Sequence, residues 1–291
     1  MEKLTIFNDT QEYSQDFYKK NGYAHFRINS KKYRDLVNKG FKYYSDGNTS
    51  KQKIAFKNKD GKPKHFVDIF RDPSSPAYGI FKNDTVIKII KNHIYTKNRL
   101  IFTHSKMSFK NIGSISDWHP HQDNGYNFGK NKRDGFAIFI CLEDMNESNG
   151  CLQIYPESHL LGPLNHSRKI ENIESGDNQL LIKDMPVDML PISIIAEKGD
   201  IIIFSPTTIH SSLSTKTKSK RLSLIAEIKE FTALELDDYG KIPIFIFGSI
   251  NIFERIVMLL SKALSFQIYW SFLKKSNRIS MFIRKILYRY R

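Results

Sequence analysis

The sequence lacks the features that mark secreted, fibrous or low-complexity proteins. It has two cysteines in 291 residues, too few to cross-link a small secreted domain. Its 15 glycines and 10 prolines exclude a collagen-like chain, and 40% hydrophobic residues suffice for a folded core. No basic segment followed by an apolar run opens the chain, so we expect a cytoplasmic protein. Cys141 and Cys151 lie in apolar segments, where we expect reduced, buried thiols.

Acidic residues are absent from the C-terminal end of the chain. Between Arg255 and Arg291 there is no Asp or Glu, and nine residues are basic. The formal net charge of the whole chain is +15, so the first 254 residues carry only +6. A basic surface can indicate a nucleic-acid or anionic-membrane partner. Here that indication is confined to the C-terminal segment.

The first hundred residues contain two helical patterns. The first includes Phe17 and Tyr18 and ends at Asn21-Gly22, before a short strand that begins at Tyr23. The second covers 83–95. Between residues 30 and 75 the periodicity is weak, apart from 33–44.

Short apolar runs separated by turns fill the stretch from about residue 100 to residue 231. Asn149-Gly150 and Lys198-Gly199-Asp200 have the composition of hairpin turns. Because no interval repeats, a solenoid or propeller is disfavoured, and we expect an antiparallel sandwich or barrel. The expected strands are 136–142, 151–155, 192–196, 201–204 and 222–228.

A helical pattern returns after Ile242. Apolar residues recur on one face from Ile252 to Leu273, with Lys and Arg outside that face. Glu254 and Lys262 interrupt the apolar run too early for a membrane span. Two interpretations stay open: a helix packed on the core, or one lying on a membrane surface or a partner.

The segment 117–124, Asp-Trp-His-Pro-His-Gln-Asp-Asn, is the first with the residues of a metal site. In an extended strand, side chains at i and i+2 point the same way, so His121 and Asp123 would share one side. Two imidazoles with one carboxylate suit divalent iron and leave positions for other ligands. His119 has the same parity and competes with His121, although only His121 has the His-x-Asp spacing.

The second such segment lies about ninety residues further on. A turn, an apolar strand and a proline-containing end bring His210 to the edge of a sheet. Arg221 follows at the start of the next apolar strand, and a hairpin could return it to the neighbourhood of His210. An arginine in such a place requires an anion, and its guanidinium group fits a carboxylate through two hydrogen bonds.

Together, the His-x-Asp pair, the distant histidine and the arginine eleven residues later resemble the phytanoyl-CoA dioxygenase family of Fe(II)/2-oxoglutarate oxygenases. The segment 149–159 is similar to the family's Asn-Gly-x-Leu…Pro-Gly-Ser-His segment, with Glu157 where glycine is usual. The segment 16–23 resembles the family's N-terminal helix and turn. The match covers about 16–231.

The resemblance implies a double-stranded β-helix, the jelly-roll or cupin-like fold, in a mainly β chain with flanking helices. We expect an oxygenase domain over 1–240, with its jelly-roll core at about 100–231, and a basic amphipathic helical tail over 241–291. The residues it implies are His121, Asp123 and His210 as catalytic iron ligands, Arg221 for the distal carboxylate of 2-oxoglutarate, and Gln122 and Ser212 as further cosubstrate contacts.

The family's chemistry uses Fe(II), 2-oxoglutarate and O₂, releases succinate and CO₂, and oxidises a substrate C–H bond. Retention of Asp123 favours hydroxylation, because halogenating relatives have a small residue there. We expect the remaining candidates His104, His159, His166 and Asp200 to be structural. Trp118 and Tyr126 suit core packing, with pocket lining as the alternative.

The leading hypothesis is therefore a hydroxylase of a small molecule, a lipid-linked group or a saccharide precursor. The alternative is a non-catalytic jelly-roll protein that binds a metal or ligand, although a cosubstrate arginine would have no purpose there. A third possibility, nucleic-acid binding by the tail, is disfavoured because its charges alternate with large apolar residues. Peripheral contact of the tail with the inner face of a membrane stays open.

Overall fold

The computed structural model describes most of the chain between residues 5 and 231 and a little beyond. The described residues are 5–8, 15–45, 53–57, 63–67, 69–71, 74–93, 99–110, 118–126, 135–168, 180–215, 221–231, 244–247 and 252.

Strands outnumber helices in the described part. The helices are α1 (Gln15–Asn21), α2 (Lys31–Ser45), α3 (Pro76–Phe81) and α4 (Asp84–His93). The strands are β1 (Ile6–Asn8), β2 (Tyr23–Arg27), β3 (Lys53–Lys57), β4 (Pro63–Val67), β5 (Leu100–Lys110), β6 (Trp118–His121), β7 (Gly135–Cys141), β8 (Leu152–Ile154), β9 (His166–Arg168), β10 (Leu180–Ile182), β11 (Ile192–Ser193), β12 (Ile201–Phe204), β13 (His210–Ser212), β14 (Arg221–Glu230) and β15 (Ile244–Phe247).

The chain divides into two compact units, one formed by 1–95 and 105–227 and the other by 96–104 and 228–291. In the first unit the larger sheet has the strand order β1-β2-β12-β7-β14-β5-β4-β3. A four-stranded sheet has the order β11-β8-β13-β6 and is antiparallel throughout. A small hairpin pairs β9 with β10. The two main sheets form the predicted jelly roll.

The core of the first unit lies between these two sheets. β12 is buried along its whole length, and its alternate residues Ile202 and Phe204 point into this core. Ile202 pairs with Phe139 of β7, and Phe204 pairs with Ala137. Residues of the smaller sheet complete the cluster: Leu152 and Ile154 of β8 and the adjoining Cys151 and Ile194. Burial of both cysteines agrees with the prediction of inert core thiols.

The helices follow the N-terminal patterns. α1 ends at Asn21, and Gly22, with a φ of 77°, turns the chain into β2, as predicted. α4 lies within the predicted 83–95. α2 buries one stripe, namely Tyr33, Val37, Gly40 and Tyr44, at helical spacing. This stripe was the part of 30–75 in which the sequence had visible periodicity.

The predicted hairpin at Asn149-Gly150 is wrong. Asn149 ends a short 3₁₀ turn capped by the Asn146 side chain, and Gly150 adopts the left-handed conformation, with a φ of 73°. β7 belongs to the larger sheet and β8 to the smaller one, so the chain crosses between sheets here. A tight hairpin joins neighbouring strands of one sheet and could not make that crossing.

In the second unit, β15 pairs antiparallel with Leu100–Phe102 of β5. The helical pattern expected after Ile242 is therefore wrong for Ile244–Phe247, where alternating β-branched and aromatic residues favour a strand. The rest of the predicted helical tail lies outside the described residues, apart from Ile252. No helix in the described part of the chain is long and apolar enough to cross a bilayer.

Candidate metal centre and adjoining pocket

Three buried side chains of the first unit converge between the two sheets. His121 ends β6, Asp123 opens the 3₁₀ turn that follows, and His210 begins β13. Since β6 and β13 are neighbours, His121 and His210 lie directly opposite each other. The Oδ1 atom of Asp123 is 3.9 Å from Nε2 of His121 and 3.6 Å from Nε2 of His210. The three possible ligand atoms all lie within 4.8 Å of one another.

Backbone hydrogen bonds orient both imidazole rings. Nδ1 of His121 donates to the carbonyl of His119 over 2.7 Å, and Nδ1 of His210 donates to that of Thr208 over 3.1 Å. Each ring therefore presents Nε2 as an acceptor atom towards Asp123, the tautomer that a metal ligand needs. Burial and the neighbouring His210, partly offset by Asp123, lower the pKa of His121 to about 3.

The donor set fits a divalent transition metal. Ligand atoms bound about 2.1 Å from a shared ion lie at most about 4.2 Å apart. Both distances to the Asp123 oxygen meet this limit, and the three ligand atoms all lie within 4.8 Å of one another. Two neutral imidazoles and one carboxylate also leave coordination positions open for other ligands.

The structure differs in one detail from the extended-strand argument for this cluster. The strand ends at His121, and Asp123 reaches the cluster from the first residue of a 3₁₀ turn. The backbone N–H of Asn124 in that turn donates to the carbonyl of Pro206, so the loop before β13 holds the turn in place. His119 lies outside the cluster and contributes its carbonyl to His121.

Arg221 faces this cluster from the larger sheet. It is the first residue of β14, is 2% exposed, and donates through Nη1 to the carbonyl of Gly150. Within the described residues, its buried Nε has no hydrogen-bond partner and no carboxylate pairs with the guanidinium group. Burial lowers its pKa to about 10. The predicted hairpin is wrong, because β13 and β14 belong to different sheets, so Arg221 approaches His210 across the core.

One pocket contains the cluster and Arg221. Ser212, which the family resemblance implies as a cosubstrate contact, lies in its wall. The full lining is His65, Lys106, Ser108, Trp118, His121, Asp123, Phe139, Leu152, Phe204, His210, Ser211, Ser212, Arg221 and Ile225.

Gln122 is not among the residues that line this pocket. Its amide nitrogen donates to the carbonyls of Gly162 and Thr207 over 2.9 and 2.6 Å. Its amide oxygen accepts from the backbone of Leu164 over 2.8 Å. These three hydrogen bonds hold the side chain against the segments at 162–164 and Thr207.

Two residues expected to be structural do have structural contacts. His159 donates from Nε2 to the carbonyl of Lys19, and its ring packs where a Cβ on Gly22 would lie. His166 donates to the carbonyl of Leu164 and accepts from the backbone N–H of Gln122, directly behind the cluster.

Asp200 also has a structural place, as expected for its turn. It accepts from the backbone N–H of Glu197 and from the side chains of His25 and Arg27. Its carboxylate therefore joins the turn before β12 to strand β2.

Sequence reasoning missed the pocket wall that strands β4 and β5 supply. His65 pairs with Ser108 across these strands, and Lys106 lies two residues before Ser108 on the same face. The only sequence feature that indicated this wall was the alternation of polar and apolar residues within 103–110, outside the recognised motifs.

A family model for Phytanoyl-CoA dioxygenase (PhyH) matches residues 18–223. That match spans more than two thirds of the chain and includes the whole pocket except Ile225. The chain belongs to the phytanoyl-CoA dioxygenase family. The resemblance inferred from the sequence motifs is thereby confirmed.

Curated relatives are about a quarter identical to this family member over the aligned residues. It is 27% identical over 232 residues to a probable phytanoyl-CoA dioxygenase of Caenorhabditis elegans, covering 72% of each chain. It is 25% identical over 167 residues to the peroxisomal phytanoyl-CoA dioxygenase of Bos taurus, covering 55% of this chain. The bovine match spans only 49% of that protein.

Solved structures confirm the cupin-like fold of this family member. EctD from S. alaskensis in its apoform has a TM-score of 0.60 at 12% identity, covering 76% of this chain and 78% of that one. The epimerase SnoN, in complex with Fe³⁺, alpha ketoglutarate and nogalamycin RO, has a TM-score of 0.57 at 15% identity, covering 75% and 82%.

Proposed function

We propose that the protein is an Fe(II)- and 2-oxoglutarate-dependent dioxygenase that hydroxylates a small-molecule, lipid or saccharide substrate. The observation that carries this proposal is the pocket itself. A buried His-Asp-His cluster and a buried arginine without a carboxylate partner among the described residues lie in one cavity. Family membership and the iron- and alpha-ketoglutarate-bound SnoN structure support it.

In this proposal His121, Asp123 and His210 hold the iron. The depressed pKa of His121 keeps its imidazole neutral, and the carbonyls of His119 and Thr208 fix both rings with Nε2 towards the metal. The burial of all three side chains limits their movement. Asp123 retains the carboxylate that favours hydroxylation over halogenation.

Arg221 and Ser212 bind the distal carboxylate of 2-oxoglutarate. A buried guanidinium group needs an anion, and the Gly150 carbonyl, which accepts from Nη1, does not neutralise it. Charge-assisted hydrogen bonds from Arg221 to a carboxylate would supply that anion. Ser212 offers a hydroxyl group from the facing sheet.

When bound, iron and 2-oxoglutarate supply the oxidising chemistry, with O₂ as cosubstrate and succinate and CO₂ as products. The chain positions the reacting groups and shields them from water. Phe139, Leu152, Phe204 and Ile225 form an apolar lining that excludes water around the charged groups.

Substitution of Arg221 tests this function through cosubstrate affinity. We expect Arg221→Ala to weaken 2-oxoglutarate binding about 100-fold, since a charge-assisted hydrogen-bonded pair contributes roughly 3 kcal/mol. The measurement is anaerobic titration of the Fe(II) protein with 2-oxoglutarate, followed by the visible charge-transfer absorption of the chelated cosubstrate.

Arg221→Lys keeps the positive charge without the two-pronged geometry and should recover part of the affinity. Fe(II) affinity measured in the same variants controls for folding and should not change. Unchanged 2-oxoglutarate affinity in Arg221→Ala would show that the arginine has another role. A wild-type protein that binds Fe(II) but gives no charge-transfer band would contradict the function as a whole.

No observation favours the non-catalytic binding protein. The oxygenase domain over 1–240 and the cytoplasmic location remain part of the proposal. Membrane contact through the basic tail is likewise a prediction from the sequence.

A further inference from the structure

The pocket has a second wall, which the proposed cofactors do not use. It consists of His65 from β4, Lys106 and Ser108 from β5, and Trp118 from β6. The ring centroids of His65 and Trp118 are 5.0 Å apart, and the ring centroids of Trp118 and His121 are 5.8 Å apart. The second wall is therefore continuous with the metal cluster on the side of His121.

Lys106 supplies the positive charge of this wall. Its ammonium nitrogen lies 5.5 Å from the centre of the Trp118 ring, a cation–π distance that orients the side chain along the pocket. Lys106 is partly buried, so water screens its charge less than that of a surface lysine.

The charges of the lining are unbalanced. Asp123 is the only acidic residue in the lining described by the structure, and the metal would take its charge. Lys106 and Arg221 are the two permanent cations of that lining. The described residues contain no carboxylate that forms an ion pair with Lys106. One organic dianion held at Arg221 and at the metal leaves the cation at Lys106 for a second anion.

We infer that the substrate of this oxygenase is a small organic anion whose carboxylate or phosphate group pairs with Lys106. The inference rests on the proposed function, because it takes Arg221 to be occupied by the cosubstrate. A planar or apolar part of the substrate would pack against Trp118 and His65. Ser108, on the same face of β5 as Lys106, is placed to donate a hydrogen bond to the anion.

The test compares matched aromatic probes that differ in charge. Benzoate and phenyl phosphate are titrated against benzamide and benzyl alcohol, at constant ionic strength, into the anaerobic protein with Fe(II) and 2-oxoglutarate. Binding is read from the fluorescence of Trp118, with Trp270→Phe removing the other tryptophan. We expect at least one anion to bind about tenfold more tightly than the neutral probes.

Lys106→Met, which keeps the length of the side chain without its charge, should abolish this preference and leave 2-oxoglutarate affinity unchanged. Lys106→Arg should retain it. Whichever of benzoate and phenyl phosphate binds better identifies the anionic group. Equal binding of charged and neutral probes by the wild type would overturn the inference. Loss of 2-oxoglutarate affinity in Lys106→Met would also overturn it, because Lys106 would then be a cosubstrate residue.

These outcomes separate the inference from the function on which it rests. Absence of the charge-transfer band together with Lys106-dependent selection of anions would reject the cosubstrate assignment and support the anion site. A normal charge-transfer band without any preference for the anionic probes would support the cosubstrate assignment and reject the anion site. Tryptophan fluorescence reports binding in either case, whether or not the protein turns over.

Discussion

Gln122 supports the candidate metal cluster through backbone contacts and does not line the pocket. It is fully buried, and its side chain makes three hydrogen bonds to the backbone of the segments at 162–164 and Thr207. Its own N–H donates to His166. These contacts tie the turn that carries His121 and Asp123 to the segment before His210. Gln122 therefore acts as a positioning residue.

We expect Gln122→Leu to lower the free energy of unfolding by about 3 kcal/mol, because three buried backbone groups lose partners worth roughly 1 kcal/mol each. Urea denaturation of the metal-free protein measures this change. Fe(II) affinity should fall, because the turn between the two ligands loosens.

A matched control is Gln153→Leu on β8, whose partly exposed side chain accepts only from Ser211 in the described hydrogen bonds. Its effect on stability should be well below that of Gln122→Leu. A Gln122→Leu protein with normal stability but weakened 2-oxoglutarate binding would contradict the positioning role and restore the cosubstrate role expected from the sequence.

At the scale of elements, a buried charged cluster joins β2 to β12. His25 donates to Asp200 over 2.8 Å, and Arg27 donates to the same carboxylate over 3.2 Å. Burial raises the pKa of Asp200, but the hydrogen bonds from His25, Arg27 and the Glu197 backbone outweigh it, so the pKa lies below its usual value. The ionised carboxylate therefore stabilises the pairing of β2 with β12 in the larger sheet.

We expect Asp200→Asn to cost about 2 kcal/mol of unfolding free energy, because the buried His25 loses its anionic acceptor and Arg27 keeps only Glu197 as an ion-pair partner. The depressed pKa of Asp200 determines how this difference in unfolding free energy depends on pH. A carboxyl group with a lowered folded pKa contributes its stability above its unfolded pKa of 3.8 and loses it as the pH falls further. The difference between wild type and variant should be constant near neutral pH and shrink below pH 3.8.

Chemical denaturation across this pH range provides the measurement. Asp188→Asn, at an exposed position, serves as the control and should leave stability nearly unchanged. A wild-type-to-Asp200→Asn difference that stayed constant down to the acid limit would show that folding leaves the pKa of Asp200 unchanged, which would contradict its stabilisation by these hydrogen bonds.

At the scale of the whole molecule, the two facing sheets create the site. The metal cluster comes mainly from the smaller sheet, and Arg221, Lys106 and His65 come from the larger one. Neither sheet alone contains both the metal ligands and a cation for an organic anion. The function therefore depends on the packing of the sheets against the shared core.

The excess of positive charge in the C-terminal sequence gives a prediction for the whole chain. Replacing Lys274, Lys275 and Arg278 by Gln should weaken binding to anionic vesicles about 100-fold, since each basic residue near such a surface contributes roughly 1 kcal/mol. Co-sedimentation of the full-length chain measures this binding, with zwitterionic vesicles as the control.

Fe(II) and 2-oxoglutarate affinities should be the same in the substituted protein and the wild type, because the pocket lies within 65–225. If the wild-type protein does not bind anionic vesicles, that result would contradict membrane contact and favour a tail that packs on the protein.

The sequence by itself predicted the three residues of the candidate metal cluster and several of the strands. The His-x-Asp spacing indicates His121 and Asp123, the family resemblance adds His210, and the run 201–204 is a strand at the predicted residues. Such features are local, because side-chain direction in an extended segment follows from its period of two.

Only the tertiary structure determined which residues face one another across the core. It placed Arg221 on the sheet opposite His210, left Gln122 out of the pocket lining, and brought Lys106 and His65 into it. Strand order and the crossing between sheets depend on contacts among residues far apart in the chain, so no local pattern encodes them. The spacing of a motif therefore indicates the candidate metal ligands, whereas the packing of two sheets forms the wall that would select a substrate.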